Sequence, residues 1–187
     1  MWTFAAKPGH LFGRLETKKR LCVGPKCAIR YKEPGGARGD GGENAVPLKL
    51  REAVAAVAGS FDKSAARIQT ESLPDITLLL KPNAFRRLLG NVLGNALRHG
   101  KAVRVSGEEL QERVWLYVDD DGPGIPLSRR EDVFRPFVRL DPARNLDKTG
   151  TGLGLAIALD IAHAHGGDIF LEGSPMGGLR VEIKIPV

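Results

Sequence analysis

The chain has 187 residues, of which 42% are hydrophobic, so it holds one domain of ordinary size with a real core. Its net charge of +6 lies entirely in residues 1–40, which carry nine basic and three acidic side chains and leave nineteen of each for residues 41–187. A neutral body argues against a nucleic-acid-binding surface on the folded domain.

The apolar stretches are short, and the longest, over residues 76–80, is far below the length of a membrane span. No charged and then apolar leader of the secretory type begins at Met1. We therefore expect a soluble, cytoplasmic chain. The stretch over 35–44 is rich in glycine and polar residues, which is typical of a linker. We expect residues 1–44 to be a poorly ordered basic segment and residues 45–187 to be the domain.

The first predicted elements after the linker are a helix and two strands. Apolar residues at helical spacing predict a helix over 48–61, and alternation predicts strands over 67–73 and 76–80. Pro82 then opens a second helix, because its missing N–H costs nothing at that position, and Gly100 ends it. This second helix carries a continuous core-facing apolar stripe.

The remaining elements are strands around one further helix. Paired strands are predicted over 103–106 and 114–118, followed by a turn over 119–124. A long helix over 152–165 ends at two glycines, and a hairpin with its turn over 175–178 closes the sheet. Because strands and helices mix without strict βαβ alternation, the predicted fold class is α/β, a two-layer sandwich whose mixed sheet is covered by about three helices.

The second predicted helix carries the first candidate functional residues. Asn91, Asn95 and Arg98 are spaced i, i+4, i+7 and share one stripe beside the apolar face. An amide oxygen suits Mg²⁺, which keeps several waters and shares the phosphates of its substrate. A guanidinium offers a fork of donors to a phosphate. Polar residues that merely cover the solvent side of a helix explain this spacing equally well.

The turn after the second strand pair contains Asp120-Asp-Gly122-Pro-Gly124. Its glycines let the main chain approach a flat ligand closely. The carboxylate of Asp120 can accept a hydrogen bond from an exocyclic amino group such as that of adenine. A tight turn without any ligand is the plain alternative.

Two further motifs flank a polar segment with the composition of a mobile lid, over residues 139–150. Phe134-Arg-Pro-Phe137 precedes it, and its phenylalanines have a plain alternative as buried core residues. Gly150-Thr-Gly152-Leu-Gly154 follows it and opens a helix, whose N-terminal N–H groups can bind phosphate. A dinucleotide fingerprint would need glycine at Leu155, and a P-loop is excluded because no Gly-Lys-Ser/Thr occurs.

In this order the motifs resemble the N, G1, F and G2 boxes of the catalytic ATP-binding domain of sensor histidine kinases, in the GHKL superfamily. The resemblance covers roughly residues 47–187, implies the Bergerat-type ATP-binding fold, and is strongest to the osmosensor kinases over 118–167. It implies ATP and Mg²⁺ as cofactors, with Asn95 as the residue that holds the metal. The catalytic residues that it implies are Asn91, Asn95, Arg98 and Arg139. The nucleotide-binding residues that it implies are Asn91, Asn95, Arg98, His99, Asp120, Gly122, Gly124, Ile125, Phe134, Phe137, Arg139, Gly150, Thr151, Gly152, Leu153, Gly154 and Leu155.

One position separates the kinases from the related ATPases. The gyrase, Hsp90 and MutL types place a glutamate four residues before the Mg²⁺-binding asparagine, as general base for water, where this chain has Asn91. An amide cannot take a proton from water at neutral pH, so efficient ATP hydrolysis is not expected. The resemblance instead implies transfer of the γ-phosphate to a histidine on a separate helical dimerisation domain, by positioning and charge.

None of the four histidines lies in the sequence context of that phosphoacceptor. The notable departure from the family pattern leads us to expect an incomplete, truncated or rearranged kinase that acts in trans on the dimerisation domain of a partner, and through it on a response regulator. A module that binds ATP without transfer is one alternative, and an ATPase of the same fold is another. We expect a monomer that binds no nucleic acid; intact family members are usually inner-membrane proteins with this domain in the cytoplasm.

Overall fold

The computed structural model describes residues 42–138 and 151–187. Its core is a five-stranded mixed sheet with the strand order β2-β4-β5-β7-β6, and a separate two-stranded sheet joins β1 and β3. The strands are β1 Val46–Lys49, β2 Ile68–Thr70, β3 Thr77–Leu80, β4 Val103–Glu109, β5 Arg113–Asp120, β6 Asp168–Gly173 and β7 Leu179–Pro186. The α-helices are α1 Leu50–Gly59, α2 Pro82–His99 and α3 Gly154–Ala164. Short 3₁₀ turns span Asp62–Arg67, Leu127–Arg129 and Asp132–Phe134. Within the described ranges, the predicted α/β sandwich with a mixed sheet and about three helices is confirmed.

Helix α2 is the central helix, and local sequence signals set both of its ends. Pro82 occupies the first turn, and the carboxylate of Glu43 accepts hydrogen bonds from the N–H groups of Asn83 at 2.8 Å and Ala84 at 3.2 Å. These N–H groups have no partner within the helix, so the carboxylate satisfies them. Gly100 ends the helix in an extended conformation. The apolar stripe is buried as predicted; its members are Phe85, Leu88, Leu89, Val92, Leu93 and Ala96. Ala84 in the first turn is buried as well.

The sheet packs one face against the helices. In β5, Val114, Leu116 and Val118 are buried and alternate with half-buried residues, as expected for a strand with one covered face. They join a single core cluster with the buried residues of α2 and α3. Each large apolar side chain buried there stabilises the fold by about 1.5–3 kcal/mol. The helices therefore lie over the face on which the even-numbered residues of β5 point.

Strand pairing places the end of β5 next to the start of β7. Strands β4 and β5 pair antiparallel, as do β5 and β7, with Asp119 opposite Arg180. The predicted hairpin of β6 and β7 is present, with Leu171 opposite Val181. Strand β2 pairs parallel to β4. The antiparallel neighbours bring the last residues of β5 beside the turn that joins β6 to β7.

Several predicted boundaries need correction. The helix predicted from residue 48 begins at Leu50, because the preceding residues form β1, which pairs with β3 outside the main sheet. The strand predicted over 67–73 is only the three residues of β2, since a 3₁₀ turn occupies the residues before it. The turn predicted from residue 119 begins later, because Asp119 and Asp120 still belong to β5.

Strand β6 is an edge of the main sheet, and side chains bond to its main chain. The N–H of Ile169 donates to the carboxylate of Asp168 at 2.9 Å. The guanidinium of Arg130 donates to the carbonyl of Leu171 at 2.8 Å and to the carbonyl of Ile125 at 3.2 Å. Arg130 therefore ties the loop after β5 to this edge. In the described ranges, no helix combines the length and the apolar character that crossing a membrane requires.

Candidate nucleotide site

Asp120, the last residue of β5, has a nearly buried side chain whose orientation is fixed by hydrogen bonds. Its side chain is on the helix-covered face, and the residue is only 3% exposed. One carboxylate oxygen, Oδ1, accepts the N–H of Gly122 at 2.8 Å and the N–H of Leu179 at 3.1 Å. The other oxygen, Oδ2, has no hydrogen-bond partner among the described residues. The carboxylate is therefore fixed in orientation and keeps one oxygen able to accept a hydrogen bond from a ligand.

Glycines let the main chain come close to this carboxylate. A Cβ at Gly122 would lie 2.9 Å from the carbonyl oxygen of His99, at the end of α2. Gly124 has φ of +70°, and a Cβ there would lie 3.2 Å from the carbonyl oxygen of Gly178. Both predicted glycines thus sit where a side chain would separate the loop from its neighbours. Ile125, also predicted, packs against the core.

Asn91 and Asn95 of α2 are half-buried, and Asn91 has an unsatisfied amide. The nitrogen Nδ2 of Asn91 is buried and has no hydrogen-bond partner in the described part of the chain. A buried polar group without a partner is uncommon and costs about 1–3 kcal/mol. Asn95 lies one turn further along the helix, and Arg98 is exposed in the last turn, as is His99. The predicted polar stripe of Asn91, Asn95 and Arg98 is therefore present, and the amide nitrogen of Asn91 within it lacks a hydrogen-bond partner among the described residues.

The start of α3 meets this stripe. A Cβ at Gly154 would lie 3.8 Å from Oδ1 of Asn91, so the first residue of α3 faces the asparagine directly. Gly152 precedes the helix with φ of +68°, and a Cβ there would lie 2.9 Å from the carbonyl of Val138. Its own carbonyl accepts the N–H of Phe137 at 3.1 Å. The helix was predicted to begin at residue 152 but begins at Gly154, since the left-handed Gly152 cannot belong to it.

The other residues of the glycine motif differ in exposure. Thr151 is exposed, Leu153 is half-buried at the N-cap of α3, and Leu155 is buried in the core. Leu155 is therefore a packing residue of α3 at the edge of the site. Arg139 and Gly150, both predicted to contact nucleotide, lie outside the described residues, as does the predicted lid.

The two phenylalanines of the third motif have different environments. Phe134 is half-buried and packs against the core. Phe137 is 74% exposed and has φ of +66°, so its alternative assignment as a buried core residue is wrong. A positive φ is uncommon for a bulky residue and is here tied to the hydrogen bond with Gly152.

An ion pair holds the opposite face of the sheet behind Asp120. Asp119 is fully buried, and its two carboxylate oxygens accept the Nε and Nη2 groups of Arg180, each at 2.8 Å. This hydrogen bonding is the main cause of the raised pKa of Arg180. The pair fixes β5 against β7 at the residue next to Asp120 and the one next to Leu179. It thus supports the N–H group that orients the carboxylate.

Sequence reasoning missed the contribution of the β6–β7 turn to the site. Gly178 donates its N–H to the carbonyl of Asp120 at 3.2 Å. A Cβ at Gly178 would overlap Oδ1 of Asp120 and would lie 2.5 Å from the nitrogen of Gly122. The only sequence signal was the glycine pair 177–178, which was interpreted as an ordinary hairpin turn.

A protein-family model described as "Histidine kinase-, DNA gyrase B-, and HSP90-like ATPase" matches residues 80–187. The sensor histidine kinase GtrS of Pseudomonas aeruginosa is 49% identical over 106 residues, which cover 57% of this chain and 22% of GtrS. The chain therefore spans less than a quarter of the length of this curated relative.

Solved structures with the same fold include kinases. The NMR structure of the histidine kinase domain of the Escherichia coli osmosensor EnvZ is 35% identical, with a TM-score of 0.59, and the match covers 77% of this chain and 89% of that one. Full-length ShkA in complex with AMPPNP is 27% identical, with a TM-score of 0.62, and the match covers 76% of this chain and 31% of ShkA.

Proposed function

Because the chain belongs to the family of histidine kinase-, DNA gyrase B- and HSP90-like ATPases and carries the ATP-binding domain of a sensor histidine kinase, we propose that this domain binds Mg²⁺-ATP and transfers its γ-phosphate to a histidine of a separate dimerisation domain. We further propose residues 45–187 as the catalytic domain and residues 1–44 as a preceding segment. The observation that carries the proposal is the carboxylate of Asp120.

Asp120 has the properties of an adenine anchor. Two main-chain N–H groups hold its Oδ1, and its Oδ2 is left to accept the exocyclic amino group of adenine. A hydrogen bond to a charged acceptor contributes roughly 1.5–3 kcal/mol. Guanine and hypoxanthine carry an oxygen where adenine has this amino group, so the carboxylate would repel them. The solved structure of ShkA, which has the same fold, contains AMPPNP, a nucleotide of this type.

The other end of the site fits the phosphates and their metal. The unsatisfied amide of Asn91 is buried where α2 meets the start of α3, and the first-turn N–H groups of α3 lack partners within the helix. Asn95 would hold Mg²⁺ through its amide oxygen, and Arg98 would donate to a phosphate. When bound, Mg²⁺ neutralises charge that develops on the phosphates. Arg139 and Gly150 belong to the same proposed set, from outside the described residues.

The residue at position 91 favours transfer over hydrolysis. A neutral amide cannot accept a proton from water at neutral pH, so it cannot be a general base. Asn91 can instead donate its N–H groups to a phosphate and hold it in place. Catalysis by such a site comes from positioning and charge, which suits attack by an imidazole that needs no base.

The phosphoacceptor is proposed to lie on another domain, supplied in trans, with a response regulator receiving the phosphoryl group afterwards. Both ring nitrogens of His165 are occupied, one by the N–H of Lys81 at 3.1 Å and one by the carbonyl of Ile161 at 2.8 Å. Nε2 of His163 lies 3.3 Å from Oδ1 of Asp168. We propose that the domain works as a monomer in the cytoplasm and binds no nucleic acid.

The test is phosphoryl transfer from radiolabelled ATP. The full chain is mixed with Mg²⁺-ATP and purified dimerisation domains of sensor histidine kinases, and acid-labile, alkali-stable label on those domains is measured. Transfer by the wild type that is lost in Asn95→Ala and Asp120→Ala is expected. Saturable ATP binding without transfer to any supplied domain would favour an ATP-binding module instead. Steady phosphate release without an acceptor would favour an ATPase, and failure of a folded chain to bind ATP would overturn the proposal.

A further inference from the structure

The short connection between α2 and β4, Gly100–Ala102, is held from one side by an arginine outside all four motifs. We call this segment the α2–β4 joint. The guanidinium of Arg67 donates to the carbonyl of Lys101 at 2.6 Å, to that of Leu97 at 3.2 Å, and to that of Gly100. Carbonyls at a helix C-terminus lack partners within the helix and favour a cation. Arg67 therefore fixes the last turn of α2 to the joint.

The same joint is held from the other side by a carboxylate of the Asp120-Asp-Gly122 motif. Oδ1 of Asp121 accepts the N–H of Lys101 at 2.6 Å and the N–H of Ala102 at 3.0 Å. These two bonds lower the pKa of Asp121. A Cβ at Gly100 would lie 2.8 Å from this oxygen, so glycine is required for the carboxylate to come this close. The joint thus has its carbonyls on an arginine and its N–H groups on an aspartate.

The joint connects the two ends of the nucleotide site. Asp121 directly follows Asp120, the proposed adenine anchor, whereas Arg98 and His99 of the proposed phosphate end directly precede the joint. Main-chain contact between His99 and Gly122 brings the same two segments together. A change in the joint would therefore alter the span from the adenine carboxylate to the last turn of α2.

We propose that Arg67 and Asp121 are positioning residues that set this span, so that a ligand with both adenine and phosphates binds with both halves at once. This rests on the proposed function, because it requires a nucleotide as the ligand. Neither side chain needs to contact the nucleotide. Ligands that occupy only one end of the site do not depend on the span, whereas ATP does.

The experiment compares two ligands, adenosine and Mg²⁺-ATP, on the full chain. Dissociation constants are measured by NMR titration for adenosine and by displacement of a fluorescent ATP analogue for ATP. Arg67→Gln is expected to weaken ATP binding about tenfold, the effect of a misplacement worth about 1.4 kcal/mol, and to leave adenosine binding unchanged. Arg67→Lys retains the charge without the two-pronged donor geometry of the guanidinium. Its ATP affinity should therefore fall between those of the wild type and Arg67→Gln.

The matched control is Arg86→Gln, which removes the same charge from an exposed position of α2. The side chain of Arg86 forms no hydrogen bond or ion pair with the described residues. This control variant should leave both dissociation constants unchanged. The Asp121→Ala variant and its combination with Arg67→Gln complete the set. Because both side chains hold the same joint, the double variant should lose less ATP affinity than the product of the two single losses.

The outcomes separate this inference from the proposed function. If Arg67→Gln leaves the ratio of the adenosine and ATP dissociation constants unchanged, for example by weakening both equally, the arginine only stabilises the fold. Multiplicative losses in the double variant would also overturn the inference. A folded wild type without saturable ATP binding would overturn the proposed function, and this inference with it.

Discussion

The two ends of the nucleotide site differ in how their polar groups are satisfied. At the adenine end, the carboxylate of Asp120 is oriented by main-chain N–H groups of Gly122 and Leu179, and the neighbouring Asp119–Arg180 ion pair supports it from behind. At the phosphate end, Asn91 has a buried amide nitrogen without a partner in the described ranges, and Phe137 is exposed. The first end is preorganised by the protein alone. We propose that a ligand completes the second end by supplying acceptors.

The largest expected effect tests the preorganised end. In Asp120→Asn, Oδ1 can still accept both N–H groups, but the second position becomes a donor that cannot accept from adenine. ATP affinity should fall by about 10- to 100-fold, the size of a lost hydrogen bond to a charged group. Inosine triphosphate, which has an acceptor at that position, should bind more tightly than to the wild type. Competition against a fluorescent ATP analogue measures both affinities.

The control for that variant is Asp75→Asn. Asp75 is exposed, and its side chain forms no hydrogen bond or ion pair with other described residues. The control variant should change neither affinity. An Asp120→Asn protein that still prefers ATP over inosine triphosphate would show that the carboxylate does not contact the base.

A second variant sharpens the comparison from the β6–β7 turn. Gly178→Ala places a methyl group against Oδ1 of Asp120 and should displace the carboxylate, weakening ATP binding about tenfold. Gly173→Ala is the matched control, because a Cβ at that glycine meets nothing within 4 Å. Isothermal titration with Mg²⁺-ATP would measure both. Equal affinities for the two variants would contradict the assigned role of the turn.

Much of the site could be predicted from the sequence because its signals are local. Pro82, the apolar stripe and Gly100 define α2, and the glycines after Asp120 define its loop. The role of Gly178 could not be predicted, since the bond between Leu179 and Asp120 joins residues 59 positions apart. Arg67 was missed for the same reason, as it bonds to carbonyls about thirty residues away in a different element.

Some features outside the central elements of the fold were not predicted. Strand β1 escaped prediction because it has four residues, contains Pro47, and pairs with β3 across the whole of α1. The exposure of Phe137 also had no signal, because aromatic residues are normally assigned to a core. Pairing over long sequence distances and a main-chain conformation with positive φ are not encoded in local periodicity.

A smaller effect is expected at Asn91, where ATP affinity and the free energy of unfolding should respond differently. Asn91→Ala removes an amide that has no partner in the described structure, so the gain from relieving it offsets the loss of packing. The free energy of unfolding without ligand should change by less than about 1 kcal/mol. ATP affinity should nevertheless fall about fivefold. Urea denaturation and the displacement assay measure the two quantities, and a large loss of stability would mean that the amide has a partner in the protein.

The smallest expected effect is a pH dependence at Asp121. Its pKa is lowered in the folded state by the N–H groups of Ala102 and Lys101, so its contribution to stability is full above the unfolded value, about 3.9, and is lost as the pH falls below it. Asp121→Asn should flatten the acid limb of a plot of unfolding free energy against pH. The two proteins should have parallel curves between pH 5 and pH 7. A difference in slope in that range would contradict the lowered pKa.

The edge of the main sheet has a consequence for how the domain behaves at high local concentration. An open edge strand is a template on which a strand of a neighbouring molecule can add. In β6, the carboxylate of Asp168 and the guanidinium of Arg130 already bond to the main chain that such a strand would need. Copies brought side by side therefore find this part of the edge blocked to β-type aggregation, and the arginine that blocks it also anchors the loop beside the adenine end.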